Sequence, residues 1–170
     1  FADKIFFPEI PLTKELKKSP VEEYAVFISD LHVGSKTFLE NDFNKFIDWI
    51  CGKMDDKEQL NIASKIKYLF IVGDLIEGIG IYPGQENDLK IKDYREQYRS
   101  LEELLMRIPE NINIVLCPGN HDAVRLDEPQ PALNKDLLGN LLERKNVFSV
   151  SNPALVNIGA TEEFSGFDVL

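Results

Sequence analysis

The stretch YLFIVGDLIEG, residues 68–78, joins an apolar run directly to acidic side chains. Residues 68–72 are aromatic, aliphatic and β-branched, which is typical of a buried β-strand. Asp74 and Glu77 follow this run within a few positions. A Gly-Asp pair after a strand is also common in an ordinary turn. The stretch therefore predicts a strand that ends in carboxylates, and the rest of the chain decides what those carboxylates do.

The same layout occurs at two further places, an apolar run and then polar residues: YAVFIS (24–29) before Asp30 and His32, and INIVL (112–116) before Asn120, His121 and Asp122. Both histidines of the chain fall in these clusters. Each cluster alone is explained by a turn or by a hydrogen-bonded loop histidine. That explanation does not account for three strands that all end in oxygen or imidazole ligands.

Amphipathic helices are predicted between the strands, because apolar residues recur there every three or four positions. The predicted helices cover residues 39–50, 60–67, 94–108 and 133–142, and further strands are predicted near 147–150 and 154–158. Strands that alternate with helices predict an α/β layered fold, a β-sheet core flanked by helices. Ligands of open α/β sheets bind at the carboxyl ends of the strands, so we expect the three polar clusters to meet there.

Composition and charge narrow the possible functions. The chain has 170 residues, 44% of them apolar, which is enough for one domain with a core. Its apolar runs are far shorter than the roughly 20 residues that a membrane span needs. Cys51 and Cys117 lie far apart and predict free thiols, which excludes a thiolate zinc site. The net charge of −10 is unusual for a free-standing duplex binder. The partner is therefore not nucleic acid, or another subunit holds the nucleic acid, or cations offset an acidic site.

The ligand types in the three clusters favour a metal centre. Carboxylate, imidazole and amide oxygen together suit divalent ions such as Mn²⁺, Fe²⁺ or Zn²⁺. Two such ions roughly 3.5–4 Å apart can activate a water and clamp the oxygens of a phosphoryl group. Asp74, on the middle strand of the three in the chain, is the candidate for a bridging ligand.

The motifs DLH, GDLIEG and GNHD, in this order and spacing, resemble those of the calcineurin-like metallophosphoesterases. The resemblance implies a layered metallophosphoesterase-type fold and two divalent metal ions. By it, Asp30 and His32 hold the first metal, Asp74 bridges and Asn120 holds the second. It also implies that His121 contacts the scissile phosphate and assists the leaving oxygen, and that Glu77 pairs with His121.

A narrower resemblance rests on FISDLHVGSKTF, GDLIEGIGIYPGQ and PGNHDAVRLDEPQP. These segments look like the small-subunit family of the archaeal family D DNA polymerases. That family implies a 3′–5′ proofreading exonuclease, with Mn²⁺ as the expected metal and Fe²⁺, Zn²⁺ or Mg²⁺ as alternatives. It implies a single-stranded DNA 3′ end as substrate, a heterodimer with a large catalytic polymerase subunit, and a cytoplasmic, nucleoid-associated protein without a membrane partner. Two alternatives stay open: a phosphatase or small-molecule phosphodiesterase of the same fold, and an inactive scaffold subunit.

The family pattern includes further histidines downstream, and no histidine follows His121 in this sequence. We therefore expect residues 23–170 to be the N-terminal portion of a metallophosphoesterase domain, incomplete at the C-terminus, and to supply part of the metal ligands. The activity of this piece alone is left open. Residues 1–22, with three prolines and mixed charge, are predicted to be an extended arm from an upstream domain, clamped by Phe6 and Phe7.

Three further residues near the clusters have alternative roles. Arg125 is predicted to meet a substrate phosphate, or else to be a surface arginine. Tyr82 is predicted to stack on a terminal base, or else to anchor its loop on the core or on the large subunit. Asp122 is predicted to orient its turn rather than to bind metal.

Overall fold

The computed structural model describes residues 17–170. Helices separate the first four strands, and the elements have these bounds: β1 Tyr24–Ile28, α1 Glu40–Ile50, α2 Lys57–Ser64, β2 Ile66–Val72, α3 Tyr94–Leu105, β3 Asn113–Cys117, α4 Lys135–Leu138, β4 Val147–Ser149, β5 Val156–Ile158 and β6 Phe167–Val169. Short 3-10 helices lie at Gln85–Asn87 and Gly139–Glu143. None of the helices in this part of the chain has the length and apolar character to cross a membrane.

Strands β1 to β4 form one parallel sheet in the order β1-β2-β3-β4. The register pairs Ile28 with Ile71 and Val72 with Cys117, so the first three strands end close together. Strands β5 and β6 form a separate antiparallel pair. The α/β fold predicted from the sequence is confirmed, and its parallel order brings the three strand ends to one edge.

The hydrophobic core lies between one face of the sheet and the helices. Leu69 and Ile71 of β2 are fully buried on this face, together with Ile47 of α1 and Leu101 of α3. The opposite face is also apolar but more open, since Phe27 is 53% exposed although it stacks on Phe70 at 4.6 Å. The strands are therefore apolar on both faces, which explains why they read as continuous apolar runs rather than alternating ones.

The second helix begins earlier than predicted. The sequence predicts a helix over residues 60–67, but α2 starts at Lys57. Asp56 caps it, because its side chain accepts hydrogen bonds from the backbone N–H groups of Glu58 and Gln59. Ile66 already belongs to β2, where it pairs with Tyr24.

The helix predicted over residues 133–142 is divided at Gly139. Four residues form α4 and the next five form a 3-10 helix. Gly139 has a positive φ of 55°, and a Cβ there would meet the side chain of Glu102. Glu102 Oε1 instead accepts the N–H of Asn140, at 3.1 Å. A contact with α3 therefore ends the regular helix.

The arm predicted for residues 1–22 lies mostly outside the described residues, and so do Phe6 and Phe7. Within the described part, Glu22 forms an exposed ion pair with Lys65, Oε2 to Nζ, at 2.7 Å. The arm and the domain boundary at residue 23 stay predictions.

Candidate metal centre

Three acidic or imidazole residues in the loops after β1 and β2 have an unusual backbone conformation. Within residues 17–170, the non-glycine residues with positive φ are Asp30, His32 and Asp74, at 54°, 52° and 49°. This left-handed conformation is unfavourable for a residue with a Cβ, and it is concentrated at functional sites. Four backbone hydrogen bonds join the loops, among them Asp30 N–H to Gly73 O at 3.2 Å and His32 N–H to Asp74 O at 3.0 Å.

These three side chains converge on one point. Nε2 of His32 lies 3.9 Å from Asp30 Oδ1 and 3.8 Å from Asp74 Oδ2. Nitrogen and oxygen ligands bind divalent ions at about 2.0–2.2 Å, so two ligands of one ion lie at most about 4.4 Å apart. One ligand atom from each of the three residues falls within a 4.8 Å cluster. The donor set and its spacing fit a divalent metal ion.

Asn120, in the loop after β3, lies next to two residues of this cluster. It is exposed and lines a cavity of about 230 Å³ together with Asp30, Asp74 and Asn152. Gly119 permits this arrangement, because a Cβ at that position would collide with the backbone and side chain of Asp74. Asp30 and Asp74 thus belong both to the cluster with His32 and to the cavity with Asn120, while the individual roles of the four predicted metal ligands stay predictions.

His121 is fixed between the loops after β2 and β3. Its backbone N–H donates to Asp74 Oδ1 at 2.9 Å, and its ring Nδ1 lies 2.7 Å from the backbone oxygen of Glu77. A carbonyl oxygen only accepts, so Nδ1 carries the proton in this hydrogen bond. Nε2 is then the ring nitrogen that is free to contact a substrate. The ring packs edge-on against His32, with ring centroids 4.5 Å apart.

Glu77 meets His121 through its backbone oxygen, and the pairing of its carboxylate with His121 stays a prediction. The Glu77 carboxylate faces the other histidine, with Oε2 3.0 Å from Nδ1 of His32. Glu77 is 5% exposed, so its carboxylate lies inside the loop cluster.

Tyr82 is bound to the same carboxylate. Its single hydroxyl proton is shared between Glu77 Oε1, at 3.2 Å, and Asp88 Oδ2, at 3.1 Å. Partial desolvation, and next the hydrogen bond to Asp88, raise the pKa of Tyr82 to about 12. The ring remains 40% exposed. The hydroxyl ties the loop to Glu77 and Asp88, while stacking on a base and anchoring on the core or on a large subunit both stay predictions.

Arg125 lies on the loop that follows the third cluster. Its Nε donates to the backbone oxygen of Pro129 at 3.0 Å, and its side chain is exposed. Buried Gln130 ties the same loop to the site, because its amide donates to Gly119 O at 3.0 Å. A phosphate contact of Arg125 stays a prediction.

Asp122 orients its turn, as predicted. The side chain is 3% exposed and its Oδ2 accepts the N–H of Gly119 at 2.8 Å and of Leu75 at 3.2 Å. Its Oδ1 accepts the hydroxyl of Tyr98 at 3.1 Å. Burial raises the pKa of the Asp122 carboxyl, although these hydrogen bonds oppose the rise. Asp122 therefore joins the loop after β2 to the loop after β3.

Sequence reasoning missed several polar residues that support the site. They are buried or half-buried side chains of helices and loops: Gln85, Gln97, Tyr98, Gln130 and Asn152. Tyr98 was predicted only as part of an apolar helix face. Gln97 is 0% exposed and its amide holds Gly78, yet it stands in a charged segment that gives no sign of burial. Asn152, after the last strand of the sheet, could have been suspected from the strand-end rule alone.

The fold and the cleft agree with a comparison to protein families. Residues 25–167 match the family described as calcineurin-like phosphoesterase. The match covers most of the chain, so the chain belongs to this family. Its members' fold implies divalent metal ions, in agreement with the ligand cluster around His32.

Among curated proteins, the chain is similar to archaeal proteins named DNA polymerase II small subunit. The one from Methanocaldococcus jannaschii is 45% identical over 170 residues, 100% of this chain and 27% of that protein. The one from Pyrococcus furiosus is 44% identical over 160 residues, 93% of this chain and 26% of that protein. The one from Thermoplasma acidophilum is 48% identical over 133 residues, 77% of this chain and 26% of that protein. The chain thus spans about a quarter of the length of these relatives.

Proposed function

We propose that this chain carries part of the active site of a metal-dependent phosphodiesterase that acts as the 3′–5′ proofreading exonuclease of an archaeal DNA polymerase. The observation that carries the proposal is the convergence of Asp30, His32 and Asp74 within 4.8 Å, with Asn120 on the same cleft. The name of the relatives supports a polymerase subunit, and the family supports hydrolysis of phosphoesters.

The residues would hold two divalent ions, with Mn²⁺ as the proposed metal. Asp30 and His32 Nε2 would bind one ion and Asn120 the other, with Asp74 between them. When bound, the ions lower the pKa of the attacking water and offset the charge of the phosphate. Asn120 adds a ligand without adding negative charge, which favours the approach of an anionic substrate.

His121 would assist the leaving oxygen. The Glu77 carbonyl holds Nδ1, so Nε2 of the protonated ring is free to donate a proton. The attacking water would release one proton to the solvent and bond through its oxygen to phosphorus, as the bond from phosphorus to the 3′ oxygen of the penultimate nucleotide breaks. That 3′ oxygen takes the proton of Nε2, and the products are a nucleoside 5′-monophosphate and a strand ending in a 3′-hydroxyl.

The charge of the chain supports a partner in DNA binding. The net charge of −10 is the opposite of the basic charge that usually supplies affinity for phosphates in free-standing DNA-binding proteins. We propose that a large catalytic polymerase subunit supplies much of that surface in a heterodimer. A frayed or mismatched 3′ end would enter the cleft more readily, because less unpairing is required.

The test is degradation of 5′-labelled DNA with a 3′ mismatch by the complete protein in Mn²⁺. We expect a ladder of shortened products that Asp74→Asn abolishes and that His121→Ala slows by about 10²–10⁴-fold, the usual contribution of a general acid. Asn at 74 keeps an oxygen for the His121 N–H, which limits damage to the fold. Glu103→Gln, an exposed position on α3, is the matched control and should cleave like the parent.

Two results would contradict the proposal. If the parent releases phosphate from monoesters but does not shorten DNA, the site belongs to a phosphatase. If no metal supports cleavage of either substrate, the chain is part of a scaffold.

A further inference from the structure

We propose that Glu77 is a positioning residue for His32, and that the loop of Tyr82 and Gln85 holds it in place. Its carboxylate would fix the imidazole of His32 so that Nε2 faces the metal. The inference rests on the proposed metal centre. It adds residues that orient a metal ligand, a role that the sequence resemblance did not imply.

The two nitrogens of His32 face different partners. Nε2 points to the candidate ligands, 3.9 Å from Asp30 Oδ1 and 3.8 Å from Asp74 Oδ2. Nδ1 is buried and makes no aligned hydrogen bond among the described residues, although Glu77 Oε2 is 3.0 Å away. Glu77 Oε2 is thus the acceptor that stands within hydrogen-bond distance of Nδ1.

Hydrogen bonds from its own loop hold both the carboxylate and the backbone oxygen of Glu77. Oε1 accepts the Tyr82 hydroxyl at 3.2 Å and the Gln85 amide at 3.0 Å, which leaves Oε2 for His32. The same Gln85 amide donates to the Glu77 backbone oxygen at 2.9 Å. Gln85 is 1% exposed, and its Oε1 accepts the N–H of Ile81 at 2.9 Å, so the loop is closed on itself.

A carboxylate placed in this way orients metal-bound histidines in many proteins. A carboxylate on the second ring nitrogen fixes the tautomer and the ring plane, and losing it typically costs 10–100-fold in metal affinity. His32, Glu77 and His121 also lie close enough together to surround an ion themselves. The hydrogen bonds on Oε1 and the position of Nε2 favour the positioning role, and the test separates the two.

The test is a titration of the metal-free complete protein with Mn²⁺ alone, followed by the electron paramagnetic resonance signal of free Mn²⁺. We expect Glu77→Gln to bind the same number of ions as the parent with an affinity about 10–100-fold weaker. Tyr82→Phe removes a hydrogen bond to Glu77 without touching either histidine, and it should weaken binding in the same direction by a smaller factor. Glu86→Gln, exposed on the same loop, is the control and should bind like the parent.

Two outcomes overturn the inference. Unchanged Mn²⁺ affinity in Glu77→Gln means that the carboxylate does not position His32. Loss of one whole ion from the stoichiometry means that Glu77 is a ligand. The titration needs no DNA, so it can succeed even if the exonuclease assay fails. If the proposed activity holds, excess Mn²⁺ should also restore DNA degradation by Glu77→Gln, which a folding defect would not allow.

Discussion

Asp30, His32 and Asp74 adopt a backbone conformation that glycine would adopt more easily. A left-handed residue with a Cβ costs roughly 1–2 kcal/mol. Such strain persists where the surrounding structure holds it, and here the backbone bonds between the two loops do so. The chemistry of the three side chains, rather than stability, therefore explains why these positions are not glycine.

Replacement of Asp30 tests this strain directly. Its side chain is 65% exposed, so removing it costs little packing. We expect the free energy of unfolding of metal-free Asp30→Gly to exceed that of Asp30→Ala by about 1 kcal/mol, because only alanine pays for the positive φ. Chemical denaturation of the two variants measures the difference. Equal stabilities would show that Asp30 is not left-handed, and both variants should lose Mn²⁺ affinity.

At the scale of the elements, apolar runs and their spacing predicted most of the fold. Strands β1 to β3 and the first and third helices follow from local patterns, and so do the polar residues at the strand ends. The start of α2 and the break at Gly139 depend on a cap and on a contact with α3. The sequence could not predict which histidine the Glu77 carboxylate faces. In the folded loops the carboxylate lies next to His32, whereas the backbone oxygen contacts His121.

Asp122 tests the connection between the loops after β2 and β3. Burial raises the pKa of this carboxyl above its ordinary value of 3.8, so folding favours the protonated form. The stability that Asp122 contributes is therefore complete below about pH 3.8 and is lost as pH rises through the folded pKa. In Asp122→Asn, which keeps one oxygen for the two N–H groups, we expect a flatter pH dependence of the free energy of unfolding above pH 3.8.

Denaturation at several pH values, without metal, measures this dependence. A variant whose pH profile matches the parent's would contradict the assignment. Asp122→Ala should be less stable than Asp122→Asn by about 1–3 kcal/mol, the cost of leaving buried donors unsatisfied.

In the whole molecule, the parallel sheet determines where the site lies, and the acidic charge means that the site requires compensating cations or hydrogen bonds. Three neighbouring strands end at one edge, and their loops bring Asp30, Asp74, Glu77 and Asp122 together. Carboxylates so close repel one another unless cations or hydrogen bonds compensate. Bound metal would relieve this repulsion, and it would also draw an anionic substrate toward a chain of net charge −10.

Anomalous diffraction from Mn²⁺-soaked crystals of the complete protein shows whether the strand ends form a two-metal centre. We expect two peaks about 3.5–4 Å apart, with Asp74 between them. One should lie next to Asp30 and Nε2 of His32, and the other next to Asn120. No peak in this cleft, or a single peak between His32 Nδ1, Glu77 and His121, would contradict the account.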